Sequence, residues 1–332
     1  MIQPLPSSIS PVVSVVIPTY KHQSYVLQTL DSVFAQTFRD FEVIVVNDGS
    51  PDNTAAVLAP LVAENRIRYV EQPNSGQAAA RNRGIALARG EFLALLDDDD
   101  LWPSDKLAWQ VQALCANPNV ALVYGKIACV NDQGETIAPR DHAADSPSSS
   151  SCAPSGNVYD ALVHRNFIIS PGQCLIRRAA LTPAPGGGCF DRALWGCDDW
   201  DLWLRLAETA PFLFVDQVAL RYRLHSANAS HDVLKMHRNF FALYRKHIKR
   251  NGAHADRRAM LQASRRQLRG ESSAHMFHLA HLDATHGNAR TALAKLFWAV
   301  RLQLRYLLDW RFARVLAAAI FPHPQRRQRE AV

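Results

Sequence analysis

The first hundred residues alternate between two kinds of segment, and this alternation narrows the fold more than any other feature of the chain. "PVVSVVIPTY" (11–20), "DFEVIVVNDGS" (40–50), "RIRYVEQ" (66–72) and "EFLALL" (91–96) are short and rich in β-branched residues, and most end in turn-forming or polar residues. Runs that are apolar on both faces fit buried parallel strands better than half-exposed ones. Between the first two, "SYVLQTLDSVFAQ" (24–36) places Val26, Leu30, Val33 and Phe34 on one helical stripe, with Ser24 as the expected N-cap. "PDNTAAVLAPLVAE" (51–64) predicts a second helix that Pro60 should end or kink, and "SGQAAARNRGIALARG" (75–90) a third, opened by Ser75 and closed by Gly90. Strands alternating with helices of this length predict an α/β fold with a mostly parallel, doubly wound sheet.

After Trp102 the order is less regular. Residues 103–118 predict a helix with Pro103 in its first turn, and "VALVYGKIACV" (120–130) a strand pair around Gly125. The Pro/Ser-rich stretch at about 139–156 predicts an exposed, flexible loop. From residue 231 onward strand signals vanish and helical periodicity dominates, predicting a body at 1–230 and a helical C-terminal region at 231–332. The net charge of +7 hides an asymmetry, because residues 231–332 carry 20 basic and 6 acidic residues and the rest of the chain is acidic. Cys115, Cys129, Cys152, Cys174, Cys189 and Cys197 show no metal-binding spacing and read as reduced thiols of a cytoplasmic protein. "MIQPLPSSIS" has no secretory leader character, and the apolar run "VLAAAIF" (315–321) is too short to span a bilayer.

In an open α/β sheet, ligands bind beyond the carboxyl ends of the strands. Three of the four N-terminal strands end there in polar groups: Thr19 and Tyr20, then Asn47 to Ser50, then the run Asp97, Asp98, Asp99 and Asp100. No Gly-rich dinucleotide fingerprint or P-loop is present, so those two phosphate sites are disfavoured. Crowded carboxylates are costly without a cation, and Mg²⁺ or Mn²⁺ is typically held by one or two of them and completed by substrate phosphates. The block therefore suits half of a metal–diphosphate site. Taken alone it reads equally well as a solvated acidic turn or as N-terminal charge for the next helix.

"VSVVIPTY", "FEVIVVNDGSPDNT", "NSGQAAARNRGIALARGEFLALLDDDDLW" and "GCDDWDLWLRLA", in that order and spacing, resemble the family 2 glycosyltransferases of the GT-A fold over roughly residues 12–230. The resemblance implies a GT-A-type sheet whose residues 1–102 form the nucleotide-sugar half and 103–230 the acceptor half. Pro18, Thr19 and Tyr20 would line the nucleotide pocket, and Asp48 would bond the base. Arg81 and Asn82 would lie in the segment facing the nucleotide and diphosphate. Asp97 and Asp99 form the family's DxD, with Asp97 near the ribose and sugar, Asp98 between them on the donor side, and Asp99 on the metal, Mn²⁺ or Mg²⁺. Many members carry Asn where this chain has Lys21.

Sugar transfer from a nucleoside diphosphate also needs a base for the acceptor hydroxyl. The helix expected from Asp198 leaves Asp198 and Asp199 at its mouth, where both could simply cap it. The family usually takes the second acid of this pair as base, which implies Asp199, with Asp198 as the alternate and Asp201 structural. "RYRLH" (221–225) resembles the family's R-x-H segment, which makes His225 a candidate metal ligand, while Arg221 and Arg223 would pair with the diphosphate or with carboxylates of the body.

In the tail, Leu293, Leu296, Phe297, Val300, Leu304, Leu307 and Leu308 recur at helical spacing among Arg290, Lys295, Arg301 and Arg305. This reads either as an appendage packed on the body or as an amphipathic surface for anionic lipid on the inner face of the cytoplasmic membrane. No nucleic-acid module is apparent. The family resemblance thus implies an inverting enzyme using a UDP- or dTDP-sugar and a glycan or lipid-linked glycan acceptor in bacterial surface polysaccharide synthesis. The competing expectation is a non-catalytic nucleotide-sugar- or glycan-binding subunit that retains the fold.

Overall fold

The computed structural model describes residues 10–137, 153–184, 187–225, 232–308 and 310–320, so most of the Pro/Ser-rich stretch, Cys152 and the last twelve residues lie outside the described residues. The chain divides into two compact units, residues 1–231 and 232–332.

The first unit is built on seven strands in the order β3-β2-β1-β4-β6-β5-β7. β1 (Val13–Thr19) pairs in parallel with β2 (Phe41–Asn47) on one side and β4 (Phe92–Leu95) on the other, and β2 pairs in parallel with β3 (Arg68–Glu71). β6 (Cys174–Arg177) runs antiparallel between β4 and β5 (Leu122–Val130), and β7 (Phe212–Arg223) closes the sheet in parallel with β5. Both faces are covered. Val13, Val15, Ile17, Val43, Val45 and Phe92 pack with Val26, Leu30 and Val33 of α1 (Val26–Phe34) and Leu107 and Leu114 of α4 (Lys106–Ala116). On the opposite face lies α3 (Gln77–Leu87), whose Gly84 comes so close to β1 that a Cβ there would sit 2.3 Å from Val16 Cγ1. The fully buried central strands explain why these runs read as continuous apolar stretches rather than alternating ones.

Several local expectations differ from the structure. The N-cap of α1 is Tyr25, without a side-chain cap, and α3 starts after Gly76 rather than at Ser75. α2 (Thr54–Ala63) runs through Pro60 because Pro60 and Ala56, the residue whose carbonyl loses its donor, are both exposed, so water can take the freed group. Pro103 precedes α4, and its carbonyl accepts from Gln36 Nε2 at 2.7 Å. β5 is one strand, not two; the register against β7 slips at Gly125, where a Cβ would lie 2.5 Å from the Gln217 carbonyl.

The first unit also contains α5 (Tyr159–His164) and α6 (Asp198–Ala207). Cys115, Cys129, Cys174, Cys189 and Cys197 are free thiols. The second unit is helical: α7 (Val233–Arg250), α8 (Ala255–Thr285), α9 (Ala289–Leu302), a 3-10 turn at Leu304–Leu308 and α10 (Trp310–Ile320). Its core gathers Met276, Phe277 and Ala280 of α8 with Leu296 and Ala299 of α9 and Val315 of α10. No described helix is long and apolar enough to cross a membrane.

Candidate active site

The strand order turns between β1 and β4, so the carboxyl ends of β1, β2 and β4 border one crevice. Pro18 and Thr19 are buried on β1, and the Thr19 hydroxyl lies beside the Asp98 carboxylate. Tyr20 is exposed at the mouth. Lys21 follows with φ 62°, a left-handed conformation that costs most side chains about 1–2 kcal/mol and that Asn adopts more readily. Asp48 is buried and accepts from Gln72 Nε2 (2.7 Å) and from the backbone N–H groups of Ser75 (2.9 Å) and Gly76 (2.8 Å). It thereby ties the end of β2 to the entry of α3, where a helix dipole favours negative charge.

Arg81, on α3 and almost fully buried, joins the two halves of the site. Its Nη2 donates to Asp97 Oδ1 at 2.6 Å and its Nη1 to Asp198 Oδ2 at 3.2 Å, while Nε has no partner. Gln77, one turn earlier, also donates to Asp97 Oδ1, at 2.9 Å. Asn82 points elsewhere. It accepts from the N–H groups of Cys189 and Phe190 and donates to the Phe190 carbonyl, each at 2.8 Å, so its amide shapes the loop before α6.

The four consecutive aspartates have four different environments. Asp97 faces Arg81. Asp98 turns under β1, accepting from the Tyr20 N–H (3.2 Å) with its Oδ1 2.7 Å from His22 Nδ1. Asp99 Oδ2 lies 2.9 Å from His225 Nε2, and the His225 ring stacks on Tyr25 at 5.1 Å. Asp100 is buried and accepts from the Arg223 N–H at 2.9 Å; its Oδ2 has no partner. Thr29 Oγ1 steadies the turn by donating to the backbone carbonyls of Asp98 (3.0 Å) and Asp100 (2.9 Å). Arg223 lies beside the Asp100 carboxylate, which accepts from its backbone N–H. Its guanidinium bonds the carbonyls of Asp99 and Asp132 and the side-chain oxygen of Gln28, and so works as a clamp on the crevice floor.

Asp100 thus belongs to the scaffold. Burial first, then the charges of Asp99 and Asp97, push its carboxyl well above the usual carboxylate range. A group with a raised folded-state pKa supports the fold below its unfolded pKa and loses that support as pH rises, so near neutrality the charge is a liability. Asp100→Asn should therefore melt no lower than wild type at pH 7, whereas Asp100→Ala, which strands the buried Arg223 N–H, should lose about 1–3 kcal/mol. Thermal denaturation of the two variants side by side checks this.

His22, Asp98 and Asp99 bring three ligand atoms within 4.8 Å of one another, a spacing that fits a divalent cation, and His225 adjoins them through Asp99. The hydrogen bond to Asp98 raises His22 to about 9. Without a cation that proton sits on His22, and as a ligand the imidazole must give it up. Sequence reasoning missed His22 and Gln77. The only signal for His22 is its place in the turn after β1, two residues beyond Tyr20.

α6 presents Asp198, Asp199 and Asp201 in its first turn. Asp201 forms a fully buried pair with Arg205 at 2.9 Å, and Arg205 also holds the Thr182 carbonyl at 2.6 Å, so Asp201 is structural. Asp199 is nearly buried, and its Oδ1 accepts from the Trp200 N–H at 2.6 Å. Burial, and next the Asp198 charge, push Asp199 up to about 8. A carboxylate with this affinity for a proton at the edge of a crevice is chemically equipped to accept one near neutral pH.

A mostly parallel sheet that turns at β1/β4 and ends there in a carboxylate run, beside a second acidic pair at a helix mouth, has the GT-A glycosyltransferase architecture. The chain belongs to glycosyl transferase family 2, whose family model matches residues 14–182. Among curated relatives, the hyaluronan synthase of Pasteurella multocida is 29% identical over 244 residues, covering 73% of this chain and 24% of that protein. The chain spans about a third of the length of the first curated relatives it matches, uncharacterized glycosyltransferases of Rickettsia felis and Rickettsia conorii (35% of each). Among solved structures, S. aureus TarS 1–349 in complex with UDP superposes with a TM-score of 0.60 at 17% identity, covering 93% of this chain and 88% of that one. The Pyrobaculum calidifontis mannosyltransferase PcManGT in complex with GDP-Man and Mn²⁺ gives 0.55 at 20% identity, covering 94% and 87%.

Proposed function

We propose that the chain is a metal-dependent, inverting glycosyltransferase that moves a sugar from a UDP- or dTDP-sugar to a hydroxyl of a glycan or lipid-linked glycan in bacterial surface polysaccharide synthesis. The observation that carries this reading is Arg81, buried between Asp97 on the donor side and Asp198 on the acceptor side. It holds the DxD and the acid pair in one network, and donor and acceptor must meet there. Asp99 and Asp98, with His22 and His225 beside them, would hold Mn²⁺ or Mg²⁺, and a bound cation supplies charge for a departing diphosphate. Pro18, Thr19 and Tyr20 line the crevice where the nucleotide would sit, and Asp48 keeps the loop against the base. Asp199 takes the acceptor proton, with Asp198 oriented by Arg81 beside it. One in-line attack by the acceptor oxygen inverts the anomeric centre and requires no protein nucleophile. The UDP complex of TarS supports a uridine donor, the GDP-Man and Mn²⁺ complex of PcManGT supports a nucleoside-diphosphate sugar with a metal, and the Pasteurella hyaluronan synthase supports a glycan product.

Asp99→Ala is the direct test. Calorimetry with UDP in the presence and absence of Mn²⁺ should show metal-dependent binding to the wild type and none to the variant, with transfer abolished. Unaltered, still Mn²⁺-dependent nucleotide binding in Asp99→Ala would assign the metal elsewhere. Absence of metal-dependent nucleotide binding by the wild type would favour the non-catalytic subunit instead.

Peripheral contact with an anionic membrane belongs to the same proposal. Within the second unit Phe297, Leu304, Leu307, Leu308 and Trp310 are exposed, Leu308 by 92%. These include apolar residues of the tail stripe, whereas Leu296 of that stripe is buried in the unit's own core. Exposed apolar groups among arginines suit the headgroup region. Leu308→Glu with Trp310→Glu should then abolish pelleting with phosphatidylglycerol vesicles, and unchanged pelleting would remove this part of the proposal.

A further inference from the structure

We infer that the C-terminal helical unit holds a second ligand site, separate from the crevice, that binds an anion bearing two or more phosphate groups. α7, α8 and α9 enclose a cleft of about 770 Å³ lined by Arg238, Arg245, Arg265, Arg266, Arg269 and Arg301. The sequence places them there by helical spacing. Arg238 and Arg245 are seven residues apart on α7, and Arg265, Arg266 and Arg269 follow the i, i+1, i+4 pattern of one face of α8. In the other half of α8 the inward stripe is apolar, with Met276, Phe277, Ala280 and Ala284 in the unit's core. The same bundle therefore changes from a packed apolar seam to an arginine-lined opening.

Six guanidinium groups around one cleft repel one another, and among the described residues none of the six forms an ion pair with a carboxylate. Their recorded partners are an aromatic ring and a backbone group. Arg238 and Arg301 lie over the Trp298 ring at 5.3 and 5.9 Å, and Arg269 donates to the Leu302 carbonyl. Phe241 meets the same ring edge-on at 6.5 Å, and Trp298 Nε1, buried, has no acceptor. The Trp298 face directs the Arg238 and Arg301 guanidiniums and leaves their N–H edges available, and such forks match phosphate oxygens two at a time. A single phosphate would satisfy one or two of the six; a compact ligand with several phosphates satisfies more, and a cleft lined by one sign of charge concentrates it.

The test uses the full chain in EDTA, so that the metal-dependent crevice stays silent, with inorganic pyrophosphate as the soluble probe in calorimetry. Wild type and Asp99→Ala should bind it alike. The triple variant Arg265→Ala/Arg266→Ala/Arg301→Ala, whose side chains are exposed and whose folding is checked by circular dichroism, should lose roughly tenfold in affinity per guanidinium removed. A second arm pellets the protein with phosphatidylcholine vesicles with and without phosphatidic acid. Pelleting that needs phosphatidic acid and is lost in the triple variant places the phosphates on a lipid surface, and pyrophosphate binding without such pelleting makes the ligand soluble. Wild type and triple variant binding both probes equally, or wild type binding neither, overturns the site. Because Asp99→Ala separates the two sites, failure here leaves the glycosyl-transfer proposal intact, and the reverse holds too.

Discussion

Asp199→Asn should leave donor binding unchanged and lower the transfer rate by a factor on the order of 10²–10⁴, the usual contribution of a general base. The amide keeps the acceptor for the Trp200 N–H and nearly the same volume, so the nucleotide crevice, which shares no hydrogen bond with Asp199, is untouched. What disappears is the proton acceptor. Because burial and Asp198 push the wild-type group up to about 8, most of it is protonated at pH 7. The acid limb of the wild-type kcat profile should therefore rise through about pH 8, and the limb should vanish in the variant. Asp198 interacts with Asp199, so the limb reports the pair rather than one residue. Turnover within about threefold of wild type would remove Asp199 from the mechanism and leave Asp198 as the base.

Arg81→Met should have the largest structural effect. Asp97 and Asp198 each lose their direct cationic partner, and removing one member of a buried charge network typically costs about 3–5 kcal/mol, mostly through the charges left behind. The deficit depends on pH with a definite sign. Burial holds the Asp198 carboxyl above its usual range and Arg81 favours its ionised form, so the gap to wild type should narrow as pH falls and Asp198 takes up a proton. Arg81→Lys should recover charge but not the two-ended fork, giving intermediate stability and little activity. Melting curves across pH decide the matter. A variant that melts with wild type at pH 7 would mean that Asp97 and Asp198 are solvated enough to stand alone.

The parts of this protein that were readable in the sequence are those encoded locally. The first four strands and the helices between them are periodic segments that need no distant partner to be recognised. The acidic block was readable as a site because it ends a buried strand. The division of labour inside it was not: Asp98 meets His22 across 76 residues, and Asp100 meets the Arg223 N–H across 123. β6 escaped notice because "CLIR" is only four residues long and looks like part of a polar loop. β7 escaped because "FLFVDQVALRYR" carries charge in its middle, which an edge strand tolerates and a central strand does not. Asn82 and Asp48 were expected on the donor side, but their bonding to loop backbone depends on a loop geometry that residue spacing does not encode.

The position of β6 has a consequence for how the protein is made. β4 is complete once Leu95 has left the ribosome, yet the strand that covers its outer edge begins only at Cys174. At translation speeds of roughly 5–20 residues per second, that interval lasts several seconds. During it, the nascent chain displays an unpaired apolar edge, Phe92–Leu95, terminating in four carboxylates. Like charge at the end of an exposed strand discourages neighbouring nascent chains from pairing with it. Before β6 is made, the carboxylates that border the finished crevice therefore stand at the end of a strand edge still without its partner.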